Sequence, residues 1–317
     1  MRKYRIGVDV GGTKIAYAIF DENYKMLHSK TSKSRPELSS NAMIDLIIND
    51  INDLISQSDI PKDQFLGIGA DFPAHIHYKS GTAITVTNLP KWKNVKIKDI
   101  MQDKLGLDVY VDNDANAACL AEARLGAGIG HKDMIYVTIS TGIGGGLYLN
   151  DDIYRGTYGA AGEIGHIIIS SDTSIICGCG NTGCAEAIAS GTAMTKYAKQ
   201  QINNGVKSII TELSEGFDNI SPYFIAQAYN KGDKLADEIF ERTSSALASL
   251  FSSLYQTFNV DLIVYGGGVS KIGPPLMDKV QEKFIKLCPM AMEYKMEIVP
   301  AKLNDQVNIL GAALLVQ

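Results

Sequence analysis

The sequence predicts an α/β protein made of two similar halves facing a cleft. A strand, a glycine turn and a returning strand occur between Tyr4 and Phe20, and again between Met134 and Leu149. After each such unit, strands alternate with helical segments whose apolar residues recur at steps of three and four. The 317 residues are enough for two domains.

Tyr4 to Asp9 alternates and is rich in β-formers, and Val10-Gly11-Gly12-Thr13 makes a tight turn. Lys14 to Phe20 and Lys25 to Thr31 then complete a meander. From Asn41 to Ile55, Met43, Ile44, Ile47, Ile48, Ile51, Leu54 and Ile55 make one apolar helix face. Phe65 to Ala70 is a strand, Asp71 to His77 a loop, and Asp108 to Asp112 a strand feeding an alanine-rich helix from Asp114 to Leu125. Gly126 stops that helix. In the second half, Met134 to Ser140 is a strand, Thr141 to Gly145 a turn and Gly146 to Leu149 the returning strand. A long helix (Lys234 to Phe258), a strand (Asp261 to Tyr265), a helix (Pro275 to Leu287), a strand (Met296 to Val299) and a helix from Gln306 follow. The expected division is 1–116 for the first domain and 117–305 for the larger second one, with the helix at 306–317 returning to the first.

Composition narrows the function. Hydrophobic residues make up 45% and charged residues 21%, which argues against disorder. A net charge of −5 without a polybasic run gives no reason to expect nucleic acid or an anionic membrane as partner. The start, MRKYRIGVDV, leads straight into a strand with no uncharged core of signal-peptide type. The most apolar stretch, Met134 to Leu149, is broken by hydroxyl residues and glycines. A cytoplasmic protein is therefore expected.

Glycine turns occur at Asp9 to Lys14 (DVGGTK), Ser140 to Gly146 (STGIGGG) and Tyr265 to Ser270 (YGGGVS). Glycine lets a backbone bring N–H donors close to a phosphate. Any one of them also suits an ordinary β-turn. Their recurrence at equivalent strand ends points to phosphate binding by Gly11, Gly12, Thr13, Lys14, Thr141, Gly142, Gly144, Gly145, Gly267 and Gly268. Asp9 makes sense beside a phosphate if Mg²⁺ lies between them. Neither a GxxxxGK[ST] loop nor a GxGxxG strand-to-helix turn is present.

Asp114 ends a strand and opens a helix. Asn113-Asp114 suits a helix cap, and the helix N-terminus also keeps Asp114 ionised and able to accept a hydroxyl proton. Asn88-Leu89-Pro90 with Trp92 is a rigid polar loop, and Glu163 and Glu186 are carboxylates suited to a polyol. Between them, His166, Cys177, Cys179 and Cys184 form H-x10-C-x-C-x4-C, a closed ligand set for structural zinc. Zinc on one nitrogen of His166 leaves the other able to hydrogen-bond.

DVGGTK, TNLPKW, DNDANAA, TISTGIGGG, GAAGEIGH, CGCGNTGCAEAIASG and YGGGVS together resemble the ROK family of sugar kinases and regulators, within the actin-like ATPase superfamily. The resemblance runs essentially end to end. It implies two duplicated actin-like (ribonuclease H-like) domains around a central cleft, ATP with Mg²⁺, a hexose substrate phosphorylated at its 6-hydroxyl, and a homodimer. It also implies that Asp114 is the catalytic base, that Asn88, Asn113, Asp114, Glu163, His166 and Glu186 contact sugar hydroxyls, and that His166, Cys177, Cys179 and Cys184 hold zinc. Family regulators carry an added N-terminal DNA-binding segment. Here the first turn begins at Asp9, so the kinase branch is expected and a sugar-sensing regulator is the alternative. One segment departs from the family: Asp71 to His77 stands where many members have a Pro-Gly-rich stretch. Its Phe72-Pro73-Ala74 is similar to allose kinases, so allose and N-acetylmannosamine stand beside glucose as expected substrates.

Overall fold

In a computed structural model of the chain, which describes residues 2–86 and 92–316, β1 (Tyr4–Val10), β2 (Lys14–Phe20) and β3 (Met26–Lys33) form the expected antiparallel meander. α1 (Ser40–Gln57) is capped by Ser39, whose Oγ accepts the Ala42 N–H at 3.3 Å. It buries Met43, Ile44, Ile47, Ile48, Ile51 and Leu54 against the sheet core. Each such side chain stabilises by about 2 kcal/mol.

β4 (Phe65–Phe72) runs beyond Ala70, and Pro73 separates it from β5 (Ala74–His77). The stretch read as a loop is therefore mostly strand. β5, β6 (Thr82–Val86) and β7 (Lys93–Lys96) form a small antiparallel sheet that the sequence reading lacks. α2 (Ile97–Leu105), β8 (Val109–Asn113) and α3 (Asp114–Leu125) follow. The main sheet has the order β3-β2-β1-β4-β8, with β1, β4 and β8 parallel.

The second half repeats that order. β9 (Met134–Ile139), β10 (Ile143–Leu149) and β11 (Asp152–Ile153) are joined by β12 (Leu262–Gly266) and β13 (Glu297–Pro300) in a sheet ordered β11-β10-β9-β12-β13. Between β11 and β12 lie α4 (Glu186–Ala189), α5 (Gly191–Asn203), α6 (Ile210–Leu213), α7 (Pro222–Asn230) and α8 (Lys234–Phe258). α9 (Pro274–Leu287) and α10 (Pro289–Glu293) precede β13, and α11 (Val307–Leu314) follows it. Among the described residues, no helix is long and apolar enough to cross a membrane.

The chain divides into two compact units. The first is Met1–Lys132, Gly146–Gly162 and Lys302–Gln317; the second is Asp133–Gly145 and Glu163–Ala301. Within the first unit, α11 packs on β1, β4 and α3. Two glycines allow this close approach. A Cβ at Gly69 would lie 1.7 Å from the Ala312 carbonyl, and one at Gly311 would lie 2.1 Å from that of Ala117. Glu122 of α3, fully buried, fastens the chain entering α11. Its carboxylate accepts the N–H groups of Ala127 at 2.8 Å, Lys302 at 3.1 Å and Leu303 at 2.8 Å.

Candidate active site

In the first unit, the candidate residues gather at the ends of β1, β4 and β8. The turn after β1 is closed by Gly11 N–H donating to the Lys14 carbonyl at 3.0 Å. A Cβ at Gly12 would meet nothing within 4 Å, so that backbone is open to a ligand. Thr13 and Lys14 are exposed beside it. Asp9 stands at the strand end, where burial raises its carboxyl while Asp71, Asn308 and the Lys14 charge lower it.

Asn113 caps α3, its Oδ1 accepting from Ala115 N at 2.9 Å and Asn116 N at 3.2 Å. Its Nδ2 donates to the Ala74 carbonyl at 3.2 Å. The side chain thus fixes β5 to the helix start, a role the sequence reading did not give it. Asp114 occupies the first position of α3 and is partly exposed. Asp112 is buried and paired with Arg155, whose Nε donates to its Oδ2 at 2.7 Å. Arg155 also stacks over Tyr78, 4.9 Å from the ring centre. The histidines of β5 have separate partners: His75 Nε2 lies 3.1 Å from the Tyr158 carbonyl and His77 Nδ1 lies 2.9 Å from Ser80 Oγ. Asn88 lies outside the described residues.

In the second unit, His166, Cys177, Cys179 and Cys184 bring their ligand atoms within 4.8 Å of one another. His166 Nδ1 is 3.6 Å from Cys177 Sγ, and Cys179 Sγ is 3.7 Å from Cys184 Sγ. Tetrahedral zinc with bonds near 2.3 Å would separate sulfurs by about 3.8 Å, so this donor set fits it. Without a cation, burial and the neighbouring sulfurs push the Cys184 thiol up to about 12. A bound cation reverses that balance and deprotonates the thiol. His166 Nε2 turns instead toward Glu163, 4.0 Å from its Oε2.

Glu186 connects this cluster to a glycine turn. Its Oε2 accepts the Ile143 N–H at 2.9 Å, and its Oε1 lies 3.9 Å from Cys177 Sγ. A Cβ at Gly142 would sit 2.4 Å from Glu186 Oε2, so a larger residue there would displace the carboxylate from the Ile143 N–H. β10 begins at Ile143, so Gly144 and Gly145 belong to a strand rather than to the turn read from the sequence. A Cβ on Gly145 would lie 2.3 Å from Ile164 Cδ1, so close packing also accounts for that glycine.

This turn and the second glycine turn of the second half meet at a cavity of ≈ 730 Å³, lined by Ser140 and Thr141 from one and Gly268 and Val269 from the other. Gly267, at φ +89°, makes the second turn possible. Such a volume suits a nucleotide-sized ligand. The remaining wall is the N-terminal part of α5 and the start of α7, with Thr192, Thr195, Lys196, Lys199 and Tyr223. Ser190 caps α5, and Gly191 N–H donates to the Ser140 carbonyl at 2.8 Å. The sequence reading missed this wall. Its sign was present: positions 192, 195, 196 and 199 form a polar stripe at helical spacing behind a Ser-Gly start.

The sequence profile of the ROK family matches residues 5–317. A glucokinase of Thermotoga maritima is 31% identical over 312 residues, covering 98% of this chain and 96% of that one. A xylose repressor of Caldicellulosiruptor bescii is 29% identical over 98% of this chain and 77% of its own length. Among solved structures, a ROK family glucokinase from Streptomyces griseus in complex with glucose and AMPPNP superposes with a TM-score of 0.78 at 31% identity, covering 98% of both chains. The fold is that of the actin-like ATPases.

Proposed function

Because this chain belongs to the ROK family, we propose that it is an ATP-dependent kinase that phosphorylates a hexose at the 6-hydroxyl. The observation that carries the proposal is the ≈ 730 Å³ cavity on which two glycine turns converge, a setting suited to a nucleotide and its phosphates. The Streptomyces griseus relative, solved with glucose and AMPPNP, supports the same pairing of sugar and nucleotide. Thr141, Gly142, Gly267 and Gly268 would serve the nucleotide, the turn at Gly11 to Lys14 is the first unit's candidate phosphate turn, and Gly145 would let Ile164 pack closely on the strand behind Gly142 and Gly144. Asp9 would hold Mg²⁺, whose chemistry is to neutralise charge on the transferring phosphate.

Asp114 is the base in this reading. A carboxylate in the first turn of α3 lies at the positive end of the helix and would accept the sugar hydroxyl proton. Asn88, Asn113, Glu163, His166 and Glu186 would bind the other hydroxyls. Structural zinc on His166, Cys177, Cys179 and Cys184 would set the imidazole and the turn carrying Glu186. The working form would be a cytoplasmic homodimer, with glucose, allose and N-acetylmannosamine as the leading substrates.

The similarity to a xylose repressor favours a second reading, a sugar sensor without catalysis. Coupled ADP release, measured over a panel of hexoses and amino sugars and ranked by kcat/KM, separates the two. Sugar-dependent release supports the kinase; sugar binding with no release on any of them supports the sensor.

A further inference from the structure

β1, β4 and β8 each carry an aspartate at one register: Asp9 stands opposite Asp71, and Asp71 opposite Asp112. In-register residues of adjacent strands project to the same face, about 4.8 Å apart. The outer two are provided for. Asp112 accepts from Arg155 Nε at 2.7 Å, Asn116 Nδ2 at 3.0 Å and Asn113 N at 2.8 Å. Asp9 is hydrogen-bonded by Asp71 and Asn308 and feels the charge of Lys14.

Asp71, between them, is 0% exposed, and its carboxyl meets no amide, hydroxyl or basic donor; its hydrogen-bond partner is the acid Asp9. Burial first, then the neighbouring acids Asp9, Asp114 and Asp112, hold its carboxyl well above the usual range. Two buried carboxyls this close cannot both carry charge unless a cation joins them. Arg155 is already paired with Asp112, so it does not supply the missing charge. A hard divalent cation would. Two carboxylates completed by waters, which phosphate oxygens later replace, suit Mg²⁺.

We propose that Asp71 is a second carboxylate ligand which, with Asp9, gives this chain a divalent-cation site that fills before nucleotide arrives. The proposal rests on the assignment of Asp9 to Mg²⁺ made above and adds a ligand to it. It also gives the departure at Asp71 to His77 a chemical purpose.

The test is a Mn²⁺ titration of the full-length zinc-loaded protein without nucleotide, following free Mn²⁺ by electron paramagnetic resonance. Wild type is expected to bind about one Mn²⁺ per chain, and Asp71→Asn and Asp9→Asn each to weaken it by roughly tenfold or more. Melting temperature gives a second readout. Without Mn²⁺, Asp71→Asn should be at least as stable as wild type, because a neutral amide replaces one of two crowded buried acids, while Mn²⁺ should stabilise only wild type. No Mn²⁺ bound by wild type, or equal binding by Asp71→Asn, overturns the site. ADP release on hexoses, run in parallel, reads the kinase assignment separately. Turnover without nucleotide-free Mn²⁺ binding removes only the cation site. Binding lost in Asp71→Asn, with no turnover on any hexose, removes only the kinase.

Discussion

Asp114 combines two effects that a single aspartate can supply at a helix start. Its Oδ1 accepts the Ala115 N–H at 2.9 Å, and the helix N-terminus favours its charge. Asp114→Asn keeps the cap geometry and removes the proton acceptor. Turnover should fall by about 10²- to 10⁴-fold while sugar affinity, read by calorimetry, changes little. Near-normal turnover would refute the assignment. Asn113-Asp114 was legible in the sequence because caps are a local matter. Asp71 was not. The sequence shows only an aspartate in an unusual segment, and its burial comes from register with Asp9 and Asp112 on strands far apart in the chain.

At the level of elements, the loop from His166 to Cys184 acts as a brace for the turn at Ser140 to Gly146, through Glu186 and the Ile143 N–H. Cys177→Ser should lose the metal, which elemental analysis of the purified protein would detect as a fall from about one zinc per chain. Apparent sugar KM should rise with it, since His166 and Glu186 lose their support. Metal-free protein with unchanged kinetics would break that link. The cluster was readable because its spacing is itself the chemistry. The meander strands, α1 and α8 were readable because their apolar periods are long. β5 and β6 were not: each is short, and Pro73 before β5 suggests a loop. α5 was missed because its polar stripe faces a cavity, and a reading based on apolar periodicity discards such a stripe.

For the whole molecule, the decisive contacts of the first unit are made by residues distant in sequence. Glu122 holds Lys302 and Leu303, so Glu122→Ala would leave part-buried N–H groups without their acceptor and empty the fully buried Glu122 site. It should cost about 3 kcal/mol or more, seen as a lower midpoint in urea unfolding. An unchanged midpoint would show that water replaces the carboxylate. The repeat of strand order was legible from the recurrence of strand, glycine turn and strand. The return of the last helix to the first domain was also expected; that α3 and Gly146–Gly162 group with it was not legible, because that depends on packing between distant residues such as α11 on α3. That placement of α11 has a consequence for biosynthesis. A ribosome delivers β1 and β4 early, yet the helix that covers Gly7 and Gly69 emerges only after residue 307. The first unit therefore has to wait, partly open, for the second to be translated, and the nascent chain is exposed to chaperones and proteases for nearly the whole of its synthesis.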